Sequence, residues 1–214
     1  MEMDLSICMD INLNPGPSNC LSCLYLNARS LKAFVPSSVD PSVKVCKISK
    51  LQDLVYTGSY DLVCICETWL NDTVLSSELL PGYSIFRQDR VCKTGGGVLI
   101  AVKSDLHSIC RNDLERNNTE MVAVEIFTCN KSLILCMFYR PPGSNNVDLN
   151  LLNSSLRSNP KSSCVLVVGD FNSPTWTDSS FPVNTGGNEI GDNFCDFMGD
   201  NFLFQFVHGP THIA

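Results

Sequence analysis

Five polar side chains stand where apolar runs end: Asn27 after Leu21-Ser22-Cys23-Leu24-Tyr25-Leu26, Glu67 after Leu62-Val63-Cys64-Ile65-Cys66, Tyr139 after Leu133-Ile134-Leu135-Cys136-Met137-Phe138, and Asp170 with Asn172 after Val165-Leu166-Val167-Val168-Gly169. Apolar, β-branched runs of this length read as buried strands. Side chains two apart at a strand end can point the same way. Asp170 and Asn172 can therefore share one small polar target: a water, a metal-held oxygen or a phosphate. The competing reading is turn chemistry, since Asp and Asn bond readily to nearby backbone. The recurrence of polar strand ends elsewhere in the chain favours a site, because such ends converge where a sandwich edge carries its loops.

The elements that must position these residues follow from periodicity. Apolar positions Val45, Ile48, Leu51, Leu54 and Val55 have helical spacing. Tyr83 to Arg87 and Val98 to Val102 read as antiparallel strands joined through the Asp89 to Thr94 loop, and Met121 to Phe127 with Ser132 to Tyr139 as a hairpin. Helices are expected over Asp148 to Leu156, capped by Asp148, and near Asn193 to Asp200. Strands outnumber helices and the helices fall in crossovers. The predicted fold class is α/β (α+β): two packed, mostly antiparallel β-sheets with helices outside. Residues 1–20, containing the turn-rich Asn14-Pro15-Gly16-Pro17, are expected to form a poorly ordered leader, and residues 21–214 the domain.

Composition narrows the function. The chain has 214 residues, 44% hydrophobic and 17% charged, as suits one globular domain. No apolar run reaches the ~20 residues of a membrane helix, and the acidic start lacks the features of a signal peptide. An intracellular protein, cytoplasmic or nuclear and without a membrane partner, is expected. Most of the 12 Cys sit inside apolar runs, where buried free thiols are expected. Cys20-Leu21-Ser22-Cys23 has zinc-knuckle spacing, but no second pair follows it. The net charge of −7 counts against an electrostatic grip on nucleic acid. After Lys161 there is no Lys or Arg, whereas Asp170, Asp178, Glu189, Asp192, Asp196 and Asp200 follow. The Gly95-Gly96-Gly97 run lacks the Lys-Ser/Thr of a phosphate loop and reads as a strand-to-strand connection.

The order of motifs resembles the endonuclease/exonuclease/phosphatase superfamily, in particular the apurinic-type endonuclease domain of non-long-terminal-repeat retrotransposons. The matching stretches are Leu26-Asn27-Ala28-Arg29-Ser30-Leu31, Cys66-Glu67-Thr68-Trp69-Leu70, Phe86-Arg87-Gln88-Asp89-Arg90 with Gly95-Gly96-Gly97-Val98, Phe138-Tyr139-Arg140-Pro141-Pro142 and Gly169-Asp170-Phe171-Asn172-Ser173-Pro174. The leader resembles the ribosome-skipping peptides of some viruses and retrotransposons, with Asn12 in place of their Glu and the skipped bond at Gly16-Pro17.

The resemblance implies a four-layer αββα sandwich and Mg²⁺-dependent nicking of DNA, with Mn²⁺ as the alternative ion. It implies Glu67 as metal ligand, Asn27 as support of the metal site and Asp170 as the residue that orients and deprotonates water. Asn172 and Tyr139 would donate hydrogen bonds to phosphoryl oxygens. The family's closing Ser-Asp-His run, and an Asp slightly upstream of it, have no counterpart. Pro210-Thr211-His212 stands where Pro-Thr-Arg precedes that run, so neither His208 nor His212 is assigned a role. A C-terminally truncated domain lacking the family's final strands is expected. The alternatives are a non-catalytic remnant and a phosphatase of the same superfamily; no protein partner is inferred.

Overall fold

The computed structural model describes residues 4–12, 20–37, 39–91, 93–117, 119–128, 131–144, 147–158, 164–172 and 189–206. Asn14-Pro15-Gly16-Pro17, Ser173, Pro174, His208 and His212 lie outside the described residues. Two compact units emerge: one comprises Met1–Asn112, Glu120–Tyr139 and Ser162–Asp170, the other Asp113–Thr119, Arg140–Lys161 and Phe171–Ala214.

The first unit holds all the strands found among the described residues. Its five-stranded sheet runs β1 (Asp4–Asn12), β2 (Cys20–Asn27), β5 (Leu62–Cys66), β7 (Val98–Lys103), β6 (Tyr83–Gln88). A four-stranded sheet runs β11 (Cys164–Asp170), β10 (Ser132–Tyr139), β9 (Glu120–Phe127), β8 (Ser108–Cys110). The short hairpin β3 (Phe34–Pro36) and β4 (Lys44–Cys46) completes it. The two large sheets stack face to face. Alternate residues of each meet in one core: Leu62, Cys64 and Cys66 of β5, Val98, Ile100 and Val102 of β7, Leu133, Leu135 and Met137 of β10. The intervening residues Val63, Ile65, Leu99 and Ala101 face the other way and pack under α1 (Lys47–Gly58) through Leu51 and Val55. This is the mixed α/β class expected, with mostly antiparallel pairing.

Two ladders are parallel, β2 with β5 and β10 with β11. Parallel neighbours need a long crossover, and the residues between them in sequence include α1 in one case and α3 (Val147–Arg157) in the other. Parallel pairing has a functional consequence, because it sets the C-terminal ends of two strands side by side. Asn27 pairs with Cys66, and Tyr139 with Asp170. β7 and β9 start at the same edge, Val98 opposite Cys66 and Glu120 opposite Tyr139, and β6 ends there with Gln88 opposite Val98.

In the second unit, α3 packs with α4 (Glu189–Asp200). Asn153 donates to Asp200, and Asn201 to Asn153. Phe171, Phe194 and Phe197 form an aromatic cluster with centroid separations of 5.1–6.2 Å.

Three local expectations differ. Residues Asp4–Asn12, read as part of a disordered leader, form β1 and pair antiparallel with β2, whose outer edge would otherwise lack a partner. The stretch punctuated by Pro36 and Pro41, whose prolines read from sequence as a loop, contains the β3–β4 hairpin; Pro36 is tolerated because it ends the strand. β11, read as fully buried, is partly exposed along most of its length, with Cys164 exposed, because it has β10 on one side only among the described residues.

Candidate active site at the strand ends

Three loops beyond the strand ends continue the sheet by main-chain hydrogen bonds. Ala28 N donates to Cys66 O at 2.9 Å, Ser30 N to Glu67 O at 2.8 Å and Leu31 N to Thr68 O at 2.9 Å. On the other side, Thr68 N donates to Gly97 O at 3.2 Å and Trp69 N to Gly96 O at 3.0 Å. The Asn27, Glu67 and glycine-run loops are thereby zipped together. The backbone is left-handed at Arg29 (φ 40°), Ser30 (φ 74°), Glu67 (φ 54°) and Trp69 (φ 52°). Such conformations in non-glycine residues cost energy and persist where surrounding bonds impose them.

Glu67 is the focus. Its Oε2 accepts from Gly96 N at 3.0 Å and from the Trp69 indole, and its Oε1 accepts from the Tyr139 hydroxyl. Burial opposes charge on the carboxyl, but the bonds from Tyr139, Trp69 and Gly96 and the nearby Arg90 guanidinium more than offset it, so its pKa lies below the ordinary value. Tyr139 shifts the other way. Burial first, then its bond to Glu67 and the Glu67 charge, hold the phenol far above its usual range, so it stays a proton donor. Arg90 lies over the Tyr139 ring, 5.7 Å from its centroid, and is ion-paired with Glu120. Glu120 also accepts from Gly97 N at 2.6 Å.

The glycine run is not a simple connector. Gly97 has φ 85°, and a Cβ there would come within 2.5 Å of the Thr68 hydroxyl oxygen, so only glycine fits while presenting its amide.

Asp170 sits at the end of β11, opposite Tyr139 in the parallel ladder, and its Oδ2 accepts from Asn27 Nδ2 at 3.3 Å. Asn27 Oδ1 in turn accepts from Arg29 N at 3.3 Å. Four of the five residues singled out by sequence, Asn27, Glu67, Tyr139 and Asp170, thus form one connected cluster in the first unit. Asn172 belongs to the second unit, where its amide donates to Arg140 O at 2.7 Å and its carbonyl accepts from Arg140 Nη1 at 3.2 Å.

Sequence reasoning passed over Trp69, Arg90, Glu120 and Lys47. Lys47 carries the clearest missed signal. It falls four and eight residues before Leu51 and Val55, on the apolar face of α1, and is 1% exposed. Its Nζ donates to Ala28 O at 2.7 Å and Arg29 O at 3.1 Å, fastening the left-handed loop after Asn27. Lys47→Met is expected to leave both carbonyls short of a donor and lower stability by about 1–3 kcal/mol, read from urea denaturation. A loss below ~0.5 kcal/mol would mean that the ammonium is not what holds this loop.

No group of three or more His, Cys, Asp or Glu side chains able to hold a metal ion occurs among the described residues. A strongly hydrated hard cation, however, needs only one or two carboxylates and keeps several waters. Glu67 and Asn27 offer a carboxylate and an amide oxygen, the donor type that hard divalent cations take.

Two stacked sheets thus bring a carboxylate, a phenol and an Asp–Asn pair to their common edge, in an α/β sandwich. The sequence profile of the endonuclease/exonuclease/phosphatase family matches residues 24–212, and the chain belongs to that family. Among solved structures it is similar to the endonuclease domain of TRAS1, a telomere-specific non-LTR retrotransposon (21% identity, TM-score 0.54, 72% of this chain and 64% of that one). It is also similar to the AP endonuclease LMAP from Leishmania major (16% identity, TM-score 0.54, 72% of this chain and 61% of that one). The aligned region is thus under two thirds of either structure, and at these identities the likeness establishes the fold. No curated protein sequence matches the chain significantly. Among the described residues no helix is long and apolar enough to cross a membrane.

Proposed function

We propose that this chain is a divalent-metal-dependent phosphodiester hydrolase of the retrotransposon endonuclease type, nicking DNA. The observation that carries the proposal is the Glu67 carboxylate, kept charged by three donors and joined through Tyr139 to the strand end that bears Asp170. Hydrolysis of a phosphodiester requires neutralised phosphate charge, an oriented water and a stabilised leaving oxygen. A bound Mg²⁺ or Mn²⁺, held by Glu67 with Asn27, would supply Lewis-acid stabilisation of the phosphate.

The protein's own groups do the rest. Asp170, which accepts from the Asn27 amide, would align a water and accept its proton; that bond supports the reading. Tyr139 keeps its proton and holds Glu67 in one rotamer; to donate to a phosphoryl oxygen as charge builds, its single O–H would turn away from Glu67. Asn172, two residues beyond Asp170, is assigned the second phosphoryl contact on its motif. The Glu-Thr-Trp-Leu and Tyr-Arg-Pro-Pro motifs support a nuclease over a phosphatase of the same family.

The test is conversion of supercoiled plasmid to nicked circle with Mg²⁺ or Mn²⁺, run beside p-nitrophenyl phosphate as a monoester. Metal-dependent nicking that falls at least ~10²-fold in Asp170→Asn, with little monoester turnover, is the expected result. Monoester turnover without nicking, or nicking indifferent to Asp170→Asn, would overturn it.

A further inference from the structure

We infer that Trp69 is a stacking platform for the nucleobase flanking the phosphate at the Glu67 site, an inference that rests on the nuclease reading above. Trp69 lies between two residues that are almost wholly buried, Thr68 at 0% and Leu70 at 4%, yet is itself 38% exposed. The ring is nevertheless fixed. Its indole N–H donates to Glu67 Oε2, its main-chain N–H donates to Gly96 O at 3.0 Å, and its backbone is left-handed at φ 52°. Both N–H donors of the residue are thus engaged, and the ring is pinned by one edge to the Glu67 carboxylate.

Gly95 lies beside that ring: a Cβ on it would stand 3.6 Å from Arg90 Nη1, 3.7 Å from Trp69 Nε1 and 3.8 Å from Glu67 Oε2. Gly95 also has φ 92°, a conformation that excludes most side chains in any case.

An immobilised, exposed ring beside a phosphate site suits a base better than a second phosphate. The indole offers a π-face, and stacking on it is tolerant of base identity because every base presents one. The overall charge points the same way. With a net charge of −7, the chain has little general attraction for a polyanion, so non-electrostatic contacts must carry more of the affinity. The ring also separates substrate classes: a small phosphoester without a base would gain nothing from it, whereas a polynucleotide would.

Binding can be read apart from cleavage by adding EDTA. The probes are a fluorescently labelled single-stranded DNA oligonucleotide and an abasic oligonucleotide of equal length, followed by anisotropy with the wild-type chain, Trp69→Phe and Trp69→Leu. The wild type is expected to bind the base-bearing strand about 5- to 150-fold more tightly than the abasic one. Trp69→Phe should keep most of that preference, and Trp69→Leu should lose it. Should Trp69→Leu fold poorly, the wild-type comparison of the two strands decides alone. Equal affinity for both strands in a wild type that nicks plasmid would overturn the stacking role only. A wild type that neither nicks plasmid nor binds either strand would overturn the nuclease reading, and the stacking role with it.

Discussion

Glu67→Gln is expected to lower the rate of the proposed metal-dependent plasmid nicking by at least about 10²–10³-fold while leaving the fold intact. The substitution is isosteric and removes one negative charge from the centre of the cluster. A glutamine can turn its oxygen toward Trp69 and Gly96 and its amide toward the Tyr139 oxygen, so the bonds that shape the loop survive in kind. What does not survive is the anion. The wild-type carboxyl titrates below its ordinary value because those donors and Arg90 outweigh the effect of its burial, so the site is built to keep a charge there. A neutral amide is a poor partner for a divalent cation and provides no countercharge to it. Stability should change by about 1 kcal/mol or less, a shift in Tm of no more than about 4 °C. Nicking within threefold of the parent would remove Glu67 from the metal site.

Gly169→Ala should be strongly destabilising. Gly169 lies in β11 opposite Phe138 of β10, and a Cβ on it would fall 1.8 Å from the Phe138 carbonyl oxygen. The obstacle is backbone within a ladder, not the far end of a side chain, so relief requires parting the two strands. Overpacking of this kind costs about 1–3 kcal/mol and occasionally more; the upper end is expected here. That corresponds to a fall in Tm of about 6–12 °C. Because the next residue is Asp170, the same displacement should break its 3.3 Å bond with Asn27 and depress nicking beyond what the fraction unfolded explains. A melting temperature within 2 °C of the parent would show that β11 does not approach β10 this closely in solution.

These two substitutions mark the boundary between what local sequence carries and what the fold adds. The strand assignments for β5, β6, β7, β9, β10 and β11 and the helices α1, α3 and α4 were legible because uninterrupted apolar runs and helical spacing are properties of neighbouring residues. The short β3, β4 and β8 were not legible. Three residues carry too little pattern, and their pairing depends on a partner found elsewhere in the chain.

For the site, residue type and position at a strand end were enough to single out Asn27, Glu67, Tyr139 and Asp170. They were not enough to say that these residues meet. Tyr139 and Glu67 are 72 residues apart, and Asn27 and Asp170 are 143 apart. Both contacts exist because β2 with β5 and β10 with β11 run parallel, which sets their C-terminal ends at one edge of the stacked sheets. The partners of Glu67 were hidden for a related reason. Trp69 reaches it through a left-handed turn of the backbone, and Gly96 through a loop between two other strands. Lys47 acts through the carbonyls of Ala28 and Arg29, 19 and 18 residues earlier, which helical spacing does not reveal. Amino-acid type determined which atoms could hold a charge or pass a proton. Strand direction, a property only of the assembled sheets, decided which of them are close enough to act together.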